Sequence, residues 1–203
     1  MVTQQIRSWD VTNKKILESM LSIHREEFVP TQQRKLAFAD IALPLGHQVY
    51  MMKPVVEGRM LQAIDLQANE TVLEIGTGSG YVTGLMAKLC QHVTSIDLHE
   101  DLIQSAQNKL QEAHIDNTAL EVADFFDYEP GKQFDAIVIT GSLKALPKHV
   151  FSWLKPDGRV FAIVGQDPIM EARVYTAADE YSSHFDTLVT PLQQAKQHQP
   201  FLL

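Results

Sequence analysis

The chain has 203 residues, of which 45% are hydrophobic, and a formal net charge of −8 at pH 7. This length and apolar content predict one sizeable domain with a buried core. The acidic balance, without any basic run, argues against a nucleic-acid partner. A single cysteine, Cys90, excludes an internal disulfide and a CxxC metal site, and we expect no bound metal.

The sequence favours a cytoplasmic protein that does not act at a membrane. Its first residues lack the apolar core of a signal peptide. No apolar run approaches the ~20 residues that span a bilayer. The eight histidines form no HExxH pattern and no G-x-S-x-G elbow occurs, so those hydrolytic chemistries find little support.

Residues 1–66 are predicted to form helices and a loop that pack on a core formed by residues 67–203, within one compact domain. The first segment is predicted to be helical until Pro30, because the residue before a proline avoids the helical region. Thr12 or Asn13 is the predicted cap of this helix.

Three shorter features follow in the same N-terminal part. A second helix is predicted from Thr31 through Ala39, and residues 42–47 are predicted to be a loop. Pro54 suits the first turn of a third helix, which carries apolar residues as far as Ile64.

From residue 71 onward, apolar strands alternate with helical segments, which predicts a doubly wound, mostly parallel α/β sheet. The predicted strands are 71–75, 92–96, 119–122, 134–140 and 159–164, and the predicted helices are 80–89, 101–113 and 146–154. Two further predicted strands, 171–176 and 185–189, have no long helix between them. They predict an antiparallel hairpin at one edge of a seven-stranded sheet.

The first predicted strand of the core leads into Glu74, followed by Gly76, Gly78 and Gly80. Glycines without Cβ let a ligand approach the backbone, and the next helix presents free N–H groups at its start. The dinucleotide fingerprint G-x-G-x-x-G fits from neither Gly76 nor Gly78, and no P-loop Gly-Lys-Ser/Thr follows. A glycine turn without any ligand is the alternative interpretation.

The glutamate indicates which ligand the turn binds. Glu74 would repel a pyrophosphate, which argues against a nicotinamide dehydrogenase, whereas it suits a ligand with a cationic amine. S-adenosylmethionine (SAM) has such an amine, together with a carboxylate for the helix start and a ribose and adenine beyond. The pattern resembles the first motif of class I SAM-dependent methyltransferases, and SAM is the predicted cofactor.

In doubly wound sheets, ligands bind beyond the carboxyl ends of the strands. Asp97 lies 97 − 76 = 21 residues after Gly76, near the ~20-residue spacing of an acid that binds ribose hydroxyls, although it could also cap the next helix. Asp124 could accept from the adenine amino group or be a simple loop residue, and Phe125 would lie against the ring. The predicted cofactor-binding residues are Glu74, Gly76, Thr77, Gly78, Gly80, Asp97, Leu98, Asp124, Phe125 and Thr140.

The sequence also resembles one particular family, the protein-L-isoaspartate O-methyltransferases. The resemblance covers most of the chain and rests on residues 25–30, 36–40, 43–47, 72–80, 134–137 and 154–159. It implies a SAM-binding sheet with added N-terminal helices and a C-terminal hairpin. It also implies that the methyl acceptor is an isoaspartyl carboxylate in a damaged protein or peptide.

The segment from Gly46 to Pro54 departs from the family pattern G-x-G-Q-T-I-S-Q-P. Met52 stands at the position of the family's serine, Tyr50 at that of its threonine, and Gln48 at that of its second glycine. The end of the third strand also differs, because Ala123-Asp124-Phe125 replaces the usual Gly-Asp-Gly. The residues expected to face the substrate are His47, Tyr50, Met52 and Lys53.

The resemblance implies that the hydroxyls of the family's serine and threonine hold the substrate carboxylate. Their absence here is therefore predicted to lower the rate of methyl transfer. A missing hydrogen bond to a charged group is worth ~1.5–3 kcal/mol, or on the order of 10- to 100-fold in rate. Tyr50, His47 or Lys53 could replace it, whereas Met51 and Met52 could line a pocket for a less polar substrate or simply pack as core. We therefore hypothesise that isoaspartyl methylation is weak or absent and that SAM binding is retained.

No catalytic residue is assigned from the sequence, because a carboxylate acceptor is already ionised and needs no general base. Three functions remain open at this point. The first is isoaspartyl methyl transfer, the second is methyl transfer to another acceptor such as a small molecule or a different protein side chain, and the third is a SAM-binding domain without catalysis.

Overall fold

The computed structural model describes residue 1 and residues 5–194. Its N-terminal part contains a 3-10 turn at Arg7–Trp9 and two helices, α1 (Lys14–Ser22) and α2 (Arg25–Phe28). Asn13 caps α1, since its side chain accepts a hydrogen bond from the Lys15 backbone N–H at 3.0 Å. The prediction of helix up to Pro30 was therefore too simple, because the backbone is extended at residues 23 and 24 and places the Ile23 side chain in the core.

Two other predictions in this part are corrected by the structure. The second helix is a 3-10 helix that spans only Thr31–Leu36. The predicted loop at 42–47 is instead an antiparallel hairpin of β1 (Leu43–Gly46) and β2 (Val49–Met51). Helix α3 (Pro54–Ile64) begins with proline at its first turn, as predicted.

The core is a seven-stranded sheet in the order β5-β4-β3-β6-β7-β8-β9. The first five strands in that order are parallel, and β8 and β9 are antiparallel additions at the edge. The predicted doubly wound fold with a C-terminal hairpin is confirmed. The strands are β3 (Thr71–Ile75), β4 (His92–Asp97), β5 (Thr118–Val122), β6 (Phe134–Leu143), β7 (Leu154–Gln166), β8 (Ile169–Ala177) and β9 (Glu180–Asp186), and the helices between them are α4 (Tyr81–Ala87) and α5 (Glu100–Glu112).

Several bounds in the core differ from the predicted ones, most of all in its second half. The predicted helix at 146–154 is a 3-10 helix at Lys148–Trp153, preceded by Pro147. Strand β7 is longer than predicted. Strand β9 begins at residue 180, so it follows β8 along the chain more closely than the predicted strand 185–189 does. Most side chains of β9 are exposed, so this strand lacks the apolar pattern from which a strand is normally identified.

Buried side chains cover both faces of the sheet, because neighbouring residues of a strand point to opposite sides. On β6, Ala136 and Val138 join a cluster that includes α1, α3 and α4. Ile137 and Ile139 join a second cluster around Trp153 on the other face. Residues of the N-terminal part and of the core therefore share one hydrophobic cluster. In the described part of the chain, no helix is long and apolar enough to cross a bilayer.

Candidate functional site

A cavity of about 640 Å³ opens at the carboxyl ends of the parallel strands, in the size range of ligand pockets. The turn after β3, the ends of β4 and β6 and the segment after β5 form one part of its lining. The substrate segment, which we define as residues 42–53, forms a second part, and residues 165–170 and 188–193 complete it.

The glycine turn begins at Gly76, whose φ of 94° is a left-handed value that favours glycine. The Gly76 and Thr77 N–H groups both donate to the Ile96 carbonyl, at 2.8 and 3.2 Å. The Thr140 hydroxyl lies within hydrogen-bonding distance of the Ile75 and Gly76 carbonyls, at 2.9 and 2.8 Å, and a Cβ on Gly76 would collide with it. Thr140 therefore shapes the turn as well as lining the cavity.

Asp97 lines the cavity at the end of β4. One of its carboxylate oxygens accepts from the Gly78 N–H at 2.9 Å, and the other accepts from the His99 N–H at 3.0 Å. Each oxygen retains a further lone pair, so the carboxylate can also accept from a hydroxyl of a ligand. Leu98 lines the cavity beside it.

Glu74 was predicted to face the ligand, but it does not line the cavity. It is fully buried, and one of its oxygens accepts from the hydroxyls of Thr83 on α4 and Ser95 on β4. Burial raises the pKa of Glu74 to about 8, against the lowering effect of these two hydrogen bonds. Its place in this structure is beneath the turn, where it connects β3, β4 and α4.

Gly80 and Asp124 also lie outside the cavity lining. Gly80 has a φ of 81°, and a Cβ there would lie 2.8 Å from the Ala106 Cβ, so this glycine permits α4 and α5 to pack closely. Asp124 caps a 3-10 turn by accepting from the Phe126 N–H at 3.0 Å. Phe125 does line the cavity, and its ring packs edge-on against Trp153 at 6.0 Å between centroids.

On the substrate side, Tyr50, Met52 and Lys53 line the cavity. Met52 is 8% exposed and Tyr50 is 46% exposed, so the methionine belongs to the wall of the cavity and the tyrosine to its rim. His47, in the turn between β1 and β2, lies outside the lining, and its ring packs on His99 instead. The structure thus brings together three of the four residues that the sequence placed at the substrate.

Comparison with known proteins decides the family. The model of the protein-L-isoaspartate(D-aspartate) O-methyltransferase family (PCMT) matches residues 1–192 of this chain. The chain belongs to this family. It is therefore a member of a family of SAM-dependent methyltransferases, and the resemblance inferred from the sequence is confirmed.

Individual relatives support the same assignment. A protein-L-isoaspartate O-methyltransferase from Petrotoga mobilis is 36% identical over 167 residues, which cover 81% of this chain and 78% of the relative. One from Opitutus terrae is 37% identical over 166 residues, covering 81% and 71%. A structure of a Plasmodium falciparum protein assigned to the same activity, in complex with S-adenosyl-L-homocysteine, has a TM-score of 0.82, with 95% and 96% of the chains covered. At 18% identity, that last likeness shows the shared fold alone.

Sequence reasoning missed one group of polar residues near the site of this methyltransferase. The rings of His47 and His99 stack at 4.0 Å between centroids, and the His47 Nε2 lies 2.9 Å from a carboxylate oxygen of Asp101. The Gln193 side chain bridges the two histidines: its Oε1 accepts from the His99 Nε2 at 2.9 Å, and its amide nitrogen donates to the His47 carbonyl at 2.7 Å. The group joins residues 146 positions apart, so no local pattern indicates it.

The C-terminal part of the lining was also missed. Residues 188–193 line the cavity, held to the end of β6 by hydrogen bonds between Ser142 and the backbone of Val189, Thr190 and Leu192. A Cβ on Gly141 would lie 3.0 Å from the Leu192 backbone, so this close approach requires a glycine. In the sequence, Gly141 and Ser142 directly follow the predicted strand 134–140, and a glycine there could have indicated a close contact. The segment that makes this contact, residues 188–193, has no regular pattern.

Proposed function

We propose that the cavity binds SAM and that this methyltransferase transfers the methyl group to isoaspartyl carboxylates of proteins or peptides. One observation carries the proposal: the glycine turn and Asp97 lie side by side on a cavity that extends without interruption to the substrate segment. The reaction requires a sulfonium and a carboxylate in contact, and one continuous cavity provides for both.

The residues present fit SAM. The Asp97 carboxylate offers lone pairs to the ribose hydroxyls, and Phe125 offers an aromatic surface to the adenine. Gly76 and Gly78 both line the cavity, and the missing Cβ of Gly76 makes room for the Thr140 hydroxyl that shapes the turn. When bound, SAM supplies the electrophilic methyl group, and the chain supplies its orientation.

The part of the cavity that is lined by the substrate segment and the start of α3 combines charged, polar and apolar side chains. Lys53 provides a cation for a carboxylate, and the Tyr50 hydroxyl provides a donor at the rim. Met52 and Val56 provide apolar walls that exclude water, which strengthens the attraction between carboxylate and sulfonium. We propose no general base, because the acceptor is ionised before it binds.

The comparisons favour this acceptor over the two other functions left open by the sequence. Both curated relatives described above carry the name of the isoaspartyl activity and match this chain across most of their length. The departure at Met52 is then a matter of rate within that activity.

Calorimetry tests the cofactor part of the proposal. We expect S-adenosyl-L-homocysteine, which cannot react, to bind the protein with one-to-one stoichiometry, and NAD to give no heat of binding. Binding of NAD in preference to the adenosyl compound would contradict the proposal, and so would the absence of binding by either compound to folded protein.

A further inference from the structure

A buried arginine connects three separate segments beneath the substrate segment. Arg25 is 1% exposed and lies on α2. Its Nε donates to the Ala37 carbonyl at 2.8 Å, its Nη2 donates to the Met52 carbonyl at 2.7 Å, and its Nη1 donates to the Glu57 carboxylate. Each of the three nitrogens of the planar guanidinium therefore has an acceptor.

The partner carboxylate lies directly behind the wall of the cavity. Glu57 lies on the first turn of α3, is fully buried and borders the cavity together with Met52 and Val56. Its second oxygen has no hydrogen-bond partner in the described part of the chain. Arg25 therefore couples the substrate segment to α3 at the acceptor end of the cavity.

Stability alone does not account for this pair. Removing two charges from water costs as much as, or more than, their attraction returns, and well-packed apolar side chains often replace a buried ion pair without loss. What apolar side chains cannot do is bond to the Ala37 and Met52 carbonyls. Ala37 precedes the hairpin β1–β2 and Met52 follows it, so the guanidinium ties the chain before the hairpin to the chain after it.

We propose that Arg25 and Glu57 are positioning residues for the methyl acceptor: together they hold the substrate segment against α3 at the spacing that an isoaspartyl peptide requires. The inference rests on the proposed function and assigns a role to two residues that do not themselves react. It follows that loss of the pair raises the KM for the peptide and leaves SAM binding, on the glycine turn, unchanged.

The test is the double substitution Arg25→Met with Glu57→Met, which removes both charges and leaves none buried without a partner. We expect the KM for an isoaspartyl peptide to rise about tenfold, as for the loss of one charged hydrogen bond. We expect the affinity for S-adenosyl-L-homocysteine to stay within about twofold, and the unfolding free energy in urea to fall, because the Ala37 and Met52 carbonyls lose their donors.

The chain contains a matched control at the opposite ends of the strands. Arg159 bonds to the Ile64 and Asp65 carbonyls and pairs with Glu70 at 2.7 Å, so it has the same kind of partners as Arg25. We expect Arg159→Met with Glu70→Met to leave the KM for the peptide unchanged. An equal rise in KM in this control would assign the effect to general stability and overturn the proposal.

Hydrogen exchange separates this proposal from the proposed function. In the Arg25→Met, Glu57→Met protein, we expect faster exchange of the amides of β1 and β2, whether or not any peptide is methylated. Absence of methyl transfer by the unmodified protein would defeat the proposed function alone. Unchanged exchange in β1 and β2, or an unchanged KM, would defeat the positioning role.

A second variant covers the case in which the double substitution does not fold. Arg25→Lys keeps the charge beside Glu57 but lacks the planar fork that reaches both carbonyls. We expect it to fold, to bind S-adenosyl-L-homocysteine normally and to show a raised KM for the peptide. A KM equal to that of the unmodified protein would overturn the proposal.

Discussion

At the scale of single residues, Asp97 is the side chain that we propose to bind the cofactor while it also shapes the site. Its two oxygens accept from the N–H groups of Gly78 and His99, so one carboxylate fixes the glycine turn and the start of the next loop. The same oxygens are the proposed ribose ligands. Because Asp97 both fixes the glycine turn and is proposed to bind the ribose, its substitution should change the shape of the site and its affinity for the cofactor together.

We predict that Asp97→Ala weakens binding of S-adenosyl-L-homocysteine by about 10- to 100-fold, because hydrogen bonds to a charged group are lost. Calorimetry measures the change directly. Asp97→Asn, which keeps one acceptor oxygen, serves as the comparison and should lose less. Unchanged affinity in the alanine variant would remove the ribose assignment.

Met52 stands at the position of the family's serine, and the structure places it in the wall of the cavity. We predict that Met52→Ser raises kcat/KM for an isoaspartyl peptide by about 10-fold or more, through a new hydrogen bond to the acceptor carboxylate. Met51→Ser is the matched control, since Met51 is also buried and stands at an apolar family position. A gain from both variants, or from neither, would contradict this role for Met52.

Glu74 shows both the reach and the limit of sequence reasoning at this scale. Its spacing from the glycines correctly indicated the family, but not where the carboxylate points. Leu73 and Ile75 belong to the cluster on one face of the sheet, so Glu74 between them must face the other side, towards Thr83. Strand alternation contains that information, whereas the motif alone does not.

At the scale of elements, the hairpin β1–β2 was the main feature that the sequence did not reveal. Its strands have four and three residues, and its turn contains non-glycine residues with left-handed backbones, His47 at φ 50° and Gln48 at φ 59°. Such a turn normally contains glycine or asparagine, so the segment lacks the usual hairpin signature. The long apolar strands β3, β4 and β6 were predicted because burial on both faces leaves a clear apolar run.

The same turn allows a prediction about stability. Gln48 is exposed and stands at the position of the family's second glycine. We predict that Gln48→Gly raises the unfolding free energy by about 1 kcal/mol, because a left-handed backbone is costly for residues with a Cβ. Urea unfolding measures it, and Gln48→Ala, which keeps the Cβ, should show no gain. A loss of stability in the glycine variant would contradict the account.

At the scale of the whole molecule, a buried carboxyl makes the stability depend on pH. Burial raises the pKa of Glu74 from an ordinary 4.5 to about 8, so between these values the folded protein holds a proton that the unfolded chain has released. The stability from this group is therefore complete below about pH 4.5 and is lost as the pH rises through 8. At Glu57 the Arg25 guanidinium acts against the same effect of burial, so the prediction rests on Glu74 alone.

We predict that the unfolding free energy falls between pH 6 and pH 8.5, with a slope from Glu74 of up to about 1.4 kcal/mol per pH unit. Glu74→Gln, which resembles the neutral acid in shape and cannot ionise, should reduce this slope. Urea unfolding at both pH values is the measurement. A variant with the same slope as the unmodified protein would contradict the buried neutral carboxyl.

More of the fold than of the site could be predicted from the sequence. The alternation of strand and helix predicted a doubly wound, mostly parallel sheet, because that architecture follows from local patterns. The C-terminal hairpin was also predicted, but its second strand was placed at residues 185–189 instead of Glu180–Asp186. The cavity lining includes Leu192, which approaches Gly141, and His99, which stacks on His47, and both contacts join distant parts of the chain. Contacts of that kind depend on the finished packing.

The most direct test of the central claim is methyl transfer from labelled SAM to two peptides of one sequence, one with isoaspartate and one with ordinary aspartate. The account predicts label in the isoaspartyl peptide as a base-labile methyl ester, and none above background in the aspartyl peptide. Equal labelling of both peptides, or no labelling of either by protein that binds the cofactor, would contradict it.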